Sequence, residues 1–147
     1  MTFQENSGEI NWKVHFSSPI EKVYEALTTD KGRKQFWAEN TIEKNGYIEF
    51  SILNYPKYKS KILKKNGKDV FQIEYFGTIV MFRLFTTQDD FGTDLFLTAQ
   101  TDNEDVKNEM TSGWVSVLLA MKAAVDFGVD LRNHNPDRVW ENGYLDN

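Results

Sequence analysis

Asp102-Asn103-Glu104-Asp105-Val106-Lys107-Asn108-Glu109-Met110-Thr111-Ser112-Gly113-Trp114-Val115-Ser116-Val117-Leu118-Leu119-Ala120-Met121-Lys122-Ala123-Ala124-Val125-Asp126-Phe127-Gly128 is the stretch whose reading decides the fold. Val106, Met110, Trp114, Val117, Leu118, Met121 and Val125 recur at helical spacing and fall on one stripe. The acidic cluster at 102–105 puts capping oxygens and negative charge where the free N–H groups of a helix start need them. Gly128 supplies a left-handed cap at the other end. The spacing therefore predicts one helix running to about Phe127. About 22 residues at ~1.5 Å each reach ~33 Å, enough to cross a whole sheet.

Upstream the period changes from that of a helix to that of strands. Residues 9–17 alternate, with Ile10, Trp12, Val14 and Phe16 on one side and Asn11, Lys13 and His15 on the other. Asn45-Gly46 and Asn66-Gly67 are dipeptides that accept positive φ in two-residue hairpin turns, and each sits between alternating segments. Ile48, Phe50 and Ile52 form one apolar face; Tyr58 and Ile62 mark the following strand; Phe71, Ile73 and Tyr75 alternate with Val70, Gln72 and Glu74. Gly77 precedes a strand over residues 78–86. There Val80, Phe82 and Leu84 share a face, but Ile79, Met81 and Phe85 make the opposite face apolar too, so alternation does not choose the inward side. After Asp89-Asp90-Phe91-Gly92, the last strand carries Leu95, Leu97 and Ala99 on one side.

Two short helices stand between the first strand and this meander. Ser18-Pro19-Ile20-Glu21 reads as a cap, a first-turn proline and a capping box, followed by Ile20, Val23, Tyr24 and Leu27 at helical spacing. Thr28-Thr29-Asp30 offers a second cap, leading to Phe36-Trp37, a pair placed like a lid over something apolar. The segment after Gly128 holds Leu131, Trp140, Tyr144 and Leu145 among polar residues, a composition that predicts a tail packed on the domain. The 147 residues suit a single domain over 1–147, with a core at about 8–130 and the tail at 131–147.

The order is one strand, two short helices, six strands with tight turns and one long helix, an α+β arrangement. Short helices cannot hide one face of seven strands, whereas a strongly curved antiparallel sheet can close around the long helix. This order, with Ser18-Pro19-Ile20-Glu21-Lys22-Val23-Tyr24-Glu25-Ala26-Leu27, Phe36-Trp37, Asn45-Gly46-Tyr47-Ile48-Glu49-Phe50, Gly92-Thr93-Asp94-Leu95-Phe96-Leu97 and Gly113-Trp114 followed by Leu118, resembles the START-like helix-grip superfamily, also called SRPBCC. Within it, the chain is most similar to the branch related to the C-terminal domain of the activator of the ninety-kilodalton heat-shock chaperone ATPase. These motifs are caps, turns and core positions, so they specify architecture rather than activity.

Composition narrows the chemistry. A net charge of −5 would repel a phosphate backbone, so nucleic acid is not expected as a partner. No cysteine is present, which removes disulfides, thiolate nucleophiles and Cys-built metal sites. The start at residues 1–6 lacks a basic, then apolar, secretory pattern, and the apolar run from Trp114 to Met121 is short, so a cytoplasmic protein without a membrane span is expected. His15 lies on the polar face of its strand and His134 in the Asn133-His134-Asn135-Pro136-Asp137 turn; neither has the company of a nucleophile or ligand set, and no metal or cofactor is assigned. Glu49 and Glu74 are turned outward by alternation, with Arg83 as a candidate cross-strand partner for Glu74. No catalytic residue is assigned.

The chain contains 11 Phe, 6 Tyr and 4 Trp, and such rings line apolar pockets as well as cores. The resemblance implies a cavity between sheet and helix, lined by Trp37, Phe50, Ile52, Phe71, Ile73, Phe82, Leu84, Leu97, Trp114, Leu118 and Met121. The expected function is non-catalytic binding of a hydrophobic small molecule there, by a monomer or homodimer. Two alternatives come with the resemblance: a chaperone-associated interaction protein, docking through its acidic surface and the Trp140/Tyr144 tail, and a cyclase- or dehydratase-type enzyme using a buried Glu or Tyr.

Overall fold

The computed structural model describes residues 8–147; residues 1–7, and with them the reading of the start at 1–6, lie outside the described residues. Strand β1 (Glu9–Phe16) is followed by helices α1 (Ile20–Thr28) and α2 (Asp30–Arg33). Six strands come next: β2 (Asn40–Lys44), β3 (Tyr47–Ser51), β4 (Tyr58–Lys65), β5 (Val70–Tyr75), β6 (Thr78–Thr86) and β7 (Thr93–Gln100). Helix α3 (Glu104–Phe127) and a single 3₁₀ turn (Trp140–Asn142) complete the chain. The strands form one antiparallel sheet in the order β1-β7-β6-β5-β4-β3-β2, so every neighbour is also a sequence neighbour except β1 and β7. No helix among the described residues is long and apolar enough to cross a membrane.

Helix α3 has the ends its sequence foretells. The Asn103 side chain accepts from the N–H groups of Asp105 and Val106, and Gly128 closes the helix in the left-handed region at φ 65°. Trp114, Leu118, Met121 and Val125 are buried along one stripe and face the sheet. In β6 the inward side is Thr78, Val80, Phe82 and Leu84, whereas Ile79 and Phe85 stay exposed. The long Val70-to-Tyr75 pairing with β6 settles it, because Phe71 stands opposite Phe82 and Ile73 opposite Val80.

Three local expectations are corrected. Ser18 and Glu21 make no capping box; Pro19 itself occupies the cap position of α1 without a side-chain bond. Ser18 instead donates through Oγ to Asp126 at 2.7 Å, and the Ser17 and Ser18 N–H groups donate to the same carboxylate, so the end of α3 captures the would-be cap. Asn45-Gly46 does form a two-residue turn with positive φ at both positions, but Asn66-Gly67 opens a four-residue loop, 66–69. There Asn66 Oδ1 accepts from the N–H groups of Lys68, Asp69 and Val70, which satisfies the loop within itself. Arg83 is not the partner of Glu74: the two-residue turn at Phe76-Gly77 sets Glu74 opposite Ile79 and Arg83 opposite Val70. Glu74 turns to the Tyr58 hydroxyl and the Gly77 N–H.

The tail touches the domain through polar groups more than through its rings. Arg132 donates to the carbonyls of Ala38 at 2.8 Å and Lys34 at 2.6 Å, and Asn54 donates to the Pro136 carbonyl. Val139 is buried, whereas Leu131, Tyr144 and Leu145 are exposed.

Candidate functional site

The sequence from Thr29 to Ala38 delivers one side chain to the centre of the molecule. Thr29 caps α2 by accepting from the Gly32 N–H, and Gly32 brings α2 so close to α1 that a Cβ there would lie 2.5 Å from the Ala26 Cα. The chain then turns through Phe36 and Trp37, both buried. The pair is therefore part of the core and does not lie above it. Trp37 belongs to neither the sheet nor α3, yet its ring meets Phe50 of β3 at 5.0 Å, Tyr75 of β5 at 5.6 Å, Phe82 of β6 at 5.7 Å and Trp114 of α3 at 5.8 Å between centroids. Phe71 stacks on Phe82 at 6.0 Å. Edge-on and offset contacts of this kind add to the apolar area they bury.

The structure gathers the residues named from the sequence around this ring cluster. Phe50, Phe71, Ile73, Phe82, Leu84, Leu97, Trp114, Leu118 and Met121 are buried with Trp37, and Ile52, just past the end of β3, packs partly buried against them. The rings touch one another, so the interior is filled by side chains in this conformation. Two surface depressions lie away from the ring cluster. One is an open groove of about 390 Å³ between α1 and Gly67-Lys68; the other, about 420 Å³, lies beside Gly8 and Gly77.

Sequence reasoning passed over two residues of the interior, Tyr75 and Ser60. Tyr75 shares the inward face with Phe71 and Ile73, and Ser60 sits at the alternate position between Tyr58 and Ile62, so the spacing that found the apolar residues applies equally to them. The Tyr75 hydroxyl accepts from Trp37 Nε1 at 3.1 Å. Burial pushes its phenol up to about 12, which keeps the proton in place. Trp114 Nε1 and Ser60 Oγ are buried without a hydrogen-bond partner among the described residues. Leaving such a group unmatched costs about 1–3 kcal/mol, so each calls for an account.

The charged groups lie outside the ring cluster. Arg33 is buried at 0% exposure, and each of its three guanidinium nitrogens donates: Nε to Thr41, Nη1 to the Leu27 carbonyl, and Nη2 to Asp30 and Glu43. His15 bridges Asp94 at 2.8 Å and Asp90 at 2.7 Å; these bonds raise its pKa above 6.5. His134 bridges Asp130 at 2.7 Å and Glu39 at 2.6 Å, with the same effect. Both histidines are half exposed, and neither belongs to a group of three or more potential ligands placed to hold a metal among the described residues.

No family model and no curated protein matches this sequence. Solved structures do. The protein SSP2350 from Staphylococcus saprophyticus is similar at a TM-score of 0.73 and 18% identity, over 84% of this chain and 96% of that one. The Aha1 dimer from Colwellia psychrerythraea gives 0.71 at 24% identity, over 82% of this chain and 97% of that one. CalU16 from Micromonospora echinospora gives 0.64 at 20% identity, over 78% of this chain and 72% of that one. With a seven-stranded antiparallel sheet wrapped on a long C-terminal helix, and short helices after the first strand, the chain has the α+β helix-grip fold.

Proposed function

We propose that this chain binds a hydrophobic small molecule between the curved sheet and α3, without itself carrying out a reaction. The observation that carries the reading is the position of Trp37. The centre of the interior is occupied by a side chain from the six-residue connection between α2 and β2 rather than from the sheet or the long helix, and four aromatic rings contact it. Swinging that one indole outward leaves a ring-walled space of its own size, without unpairing a strand. An apolar molecule entering it gains roughly 25 cal/mol per Å² of buried area, reduced by what it takes to displace Trp37.

Titration with Nile red, a neutral apolar dye, tests this. Saturable blue-shifted emission is expected, with a rise in melting temperature as the dye concentration exceeds its Kd. Flat emission and an unchanged melting temperature up to the solubility limit sink the reading.

Within the ring cluster the ionisable side chain is that of Tyr75. With its pKa pushed up to about 12 by burial, that phenol keeps its proton near neutral pH and does not serve as a base there, which favours binding over base catalysis. The interaction-protein reading has its own support in the fold likeness to the Aha1 protein and in Phe127, Val129 and Leu131, which stand exposed where α3 ends. Co-sedimentation with the cognate chaperone at micromolar concentration checks it, and no association removes it.

A further inference from the structure

We infer that the interior selects neutral, flat, apolar molecules that carry an acceptor oxygen such as a ketone, and that Trp114 Nε1 and the Tyr75 hydroxyl are the groups that recognise it. This rests on the proposed binding between sheet and helix and names the chemistry of the occupant. Trp114 is the first buried residue of the stripe on α3, its ring 5.4 Å from Tyr75 and 5.8 Å from both Trp37 and Phe82. An indole N–H can only donate, and this one is buried with no acceptor among the described residues. Tyr75 accepts from Trp37 Nε1, while its own O–H proton meets no acceptor among the described residues. Two adjacent buried side chains thus offer donors that no acceptor among the described residues meets.

A carbonyl oxygen has two lone pairs and can accept from both. A hydrocarbon of the same shape would leave both donors unmatched, and discrimination against it follows from the cost of that mismatch. A carboxylate is disfavoured. Arg33, the charged residue buried at 0% exposure, lies outside the ring cluster, and each of its guanidinium nitrogens already donates to Asp30, Thr41, Leu27 or Glu43. An anion brought into this ring cluster would have no cation to offset its desolvation.

Fluorenone and fluorene, equal in shape and different by one oxygen, provide the test. Their affinities are measured on the unaltered protein and on two variants that each remove one donor: Tyr75→Phe, which keeps the ring, and Trp114→Phe, which replaces the indole with a smaller aromatic ring. With ¹⁵N-tryptophan labelling, the indole signal missing from Trp114→Phe identifies Trp114. Fluorenone is expected to bind about tenfold tighter than fluorene, with the ratio falling several-fold in either variant. The Trp114 indole proton should move downfield with fluorenone and not with fluorene. Equal binding of the two probes, with the Trp114 signal showing no downfield move specific to fluorenone, overturns the assignment of the donors while leaving the binding reading standing. Failure of both probes to bind overturns both. Should one variant not fold, the affinity ratio and the indole shift in the unaltered protein decide alone.

Discussion

Arg33 is a charge with no access to water, held by two carboxylates, a hydroxyl and a carbonyl at the junction of α1, α2 and β2. Removing one side of a buried pair leaves the other uncompensated. Arg33→Met should therefore lower stability by roughly 3 kcal/mol, read from the urea midpoint; a change below about 1 kcal/mol would show that the cluster relaxes into water. Gly32 poses a steric condition beside it. A Cβ would meet Ala26 Cα at 2.5 Å and the Ala26 carbonyl at 2.6 Å, so Gly32→Ala is expected to cost about 1–3 kcal/mol, with Trp37 shifted along with α2. Neither role was legible in the sequence, where Arg33 and Gly32 read as ordinary members of a short polar helix. Their partners come from β2 and α1, and side-chain periodicity carries no information about those contacts.

Among the elements, the tail after α3 ties down the connection that holds Trp37. Arg132 binds the carbonyls of Lys34 and Ala38, and His134 binds Glu39, so these contacts flank Trp37 on both sides. The bonds to Asp130 and Glu39 raise the pKa of His134 above 6.5. A raised folded-state pKa contributes stability that is fully present below the unfolded value and fades as pH rises through the folded one. The melting-temperature gap between the unaltered protein and His134→Gln should therefore be wider at pH 6 than at pH 9. An equal gap at both would show that the imidazole's charge is irrelevant to docking. Asp126 ties the start of α1 to the end of α3. Burial alone would raise its pKa, but the bonds from the Ser17 and Ser18 N–H groups and the Ser18 hydroxyl outweigh burial and lower it. Asp126→Ala removes the acceptor of the Ser17 and Ser18 N–H groups and leaves the Ser18 hydroxyl only the Val125 carbonyl at 3.4 Å; it is expected to cost about 2 kcal/mol by thermal unfolding, more than an ordinary surface substitution.

Across the whole molecule, Trp37 is the point where β3, β5, β6 and α3 converge. Trp37→Ala should destabilise the protein by about 3–5 kcal/mol, measured by urea unfolding, through lost area and the cavity left behind. If the interior binds apolar molecules, the same variant should take up Nile red more tightly than the unaltered protein, because the ligand no longer competes with an indole. Loss of stability without any gain in dye uptake would mean that the walls collapse on the vacated space, and the proposed site would go with them.

The sequence by itself determined the helix of residues 104–127, the meander and the inward faces of β3, β5 and β7, because period, caps and turn residues are written within a few residues of one another. It left open the inward side of β6, whose faces are both apolar, and it misread Ser18, whose hydroxyl has a stronger partner in Asp126, far away along the chain. Only the tertiary structure decided that Trp37 fills the centre, that Tyr75 and Trp114 bring hydrogen-bond donors into it, and that the tail is held by Arg132 and His134. Those facts depend on which side chains meet across elements, and a contact between distant residues acquires its geometry only when the sheet curves onto the helix.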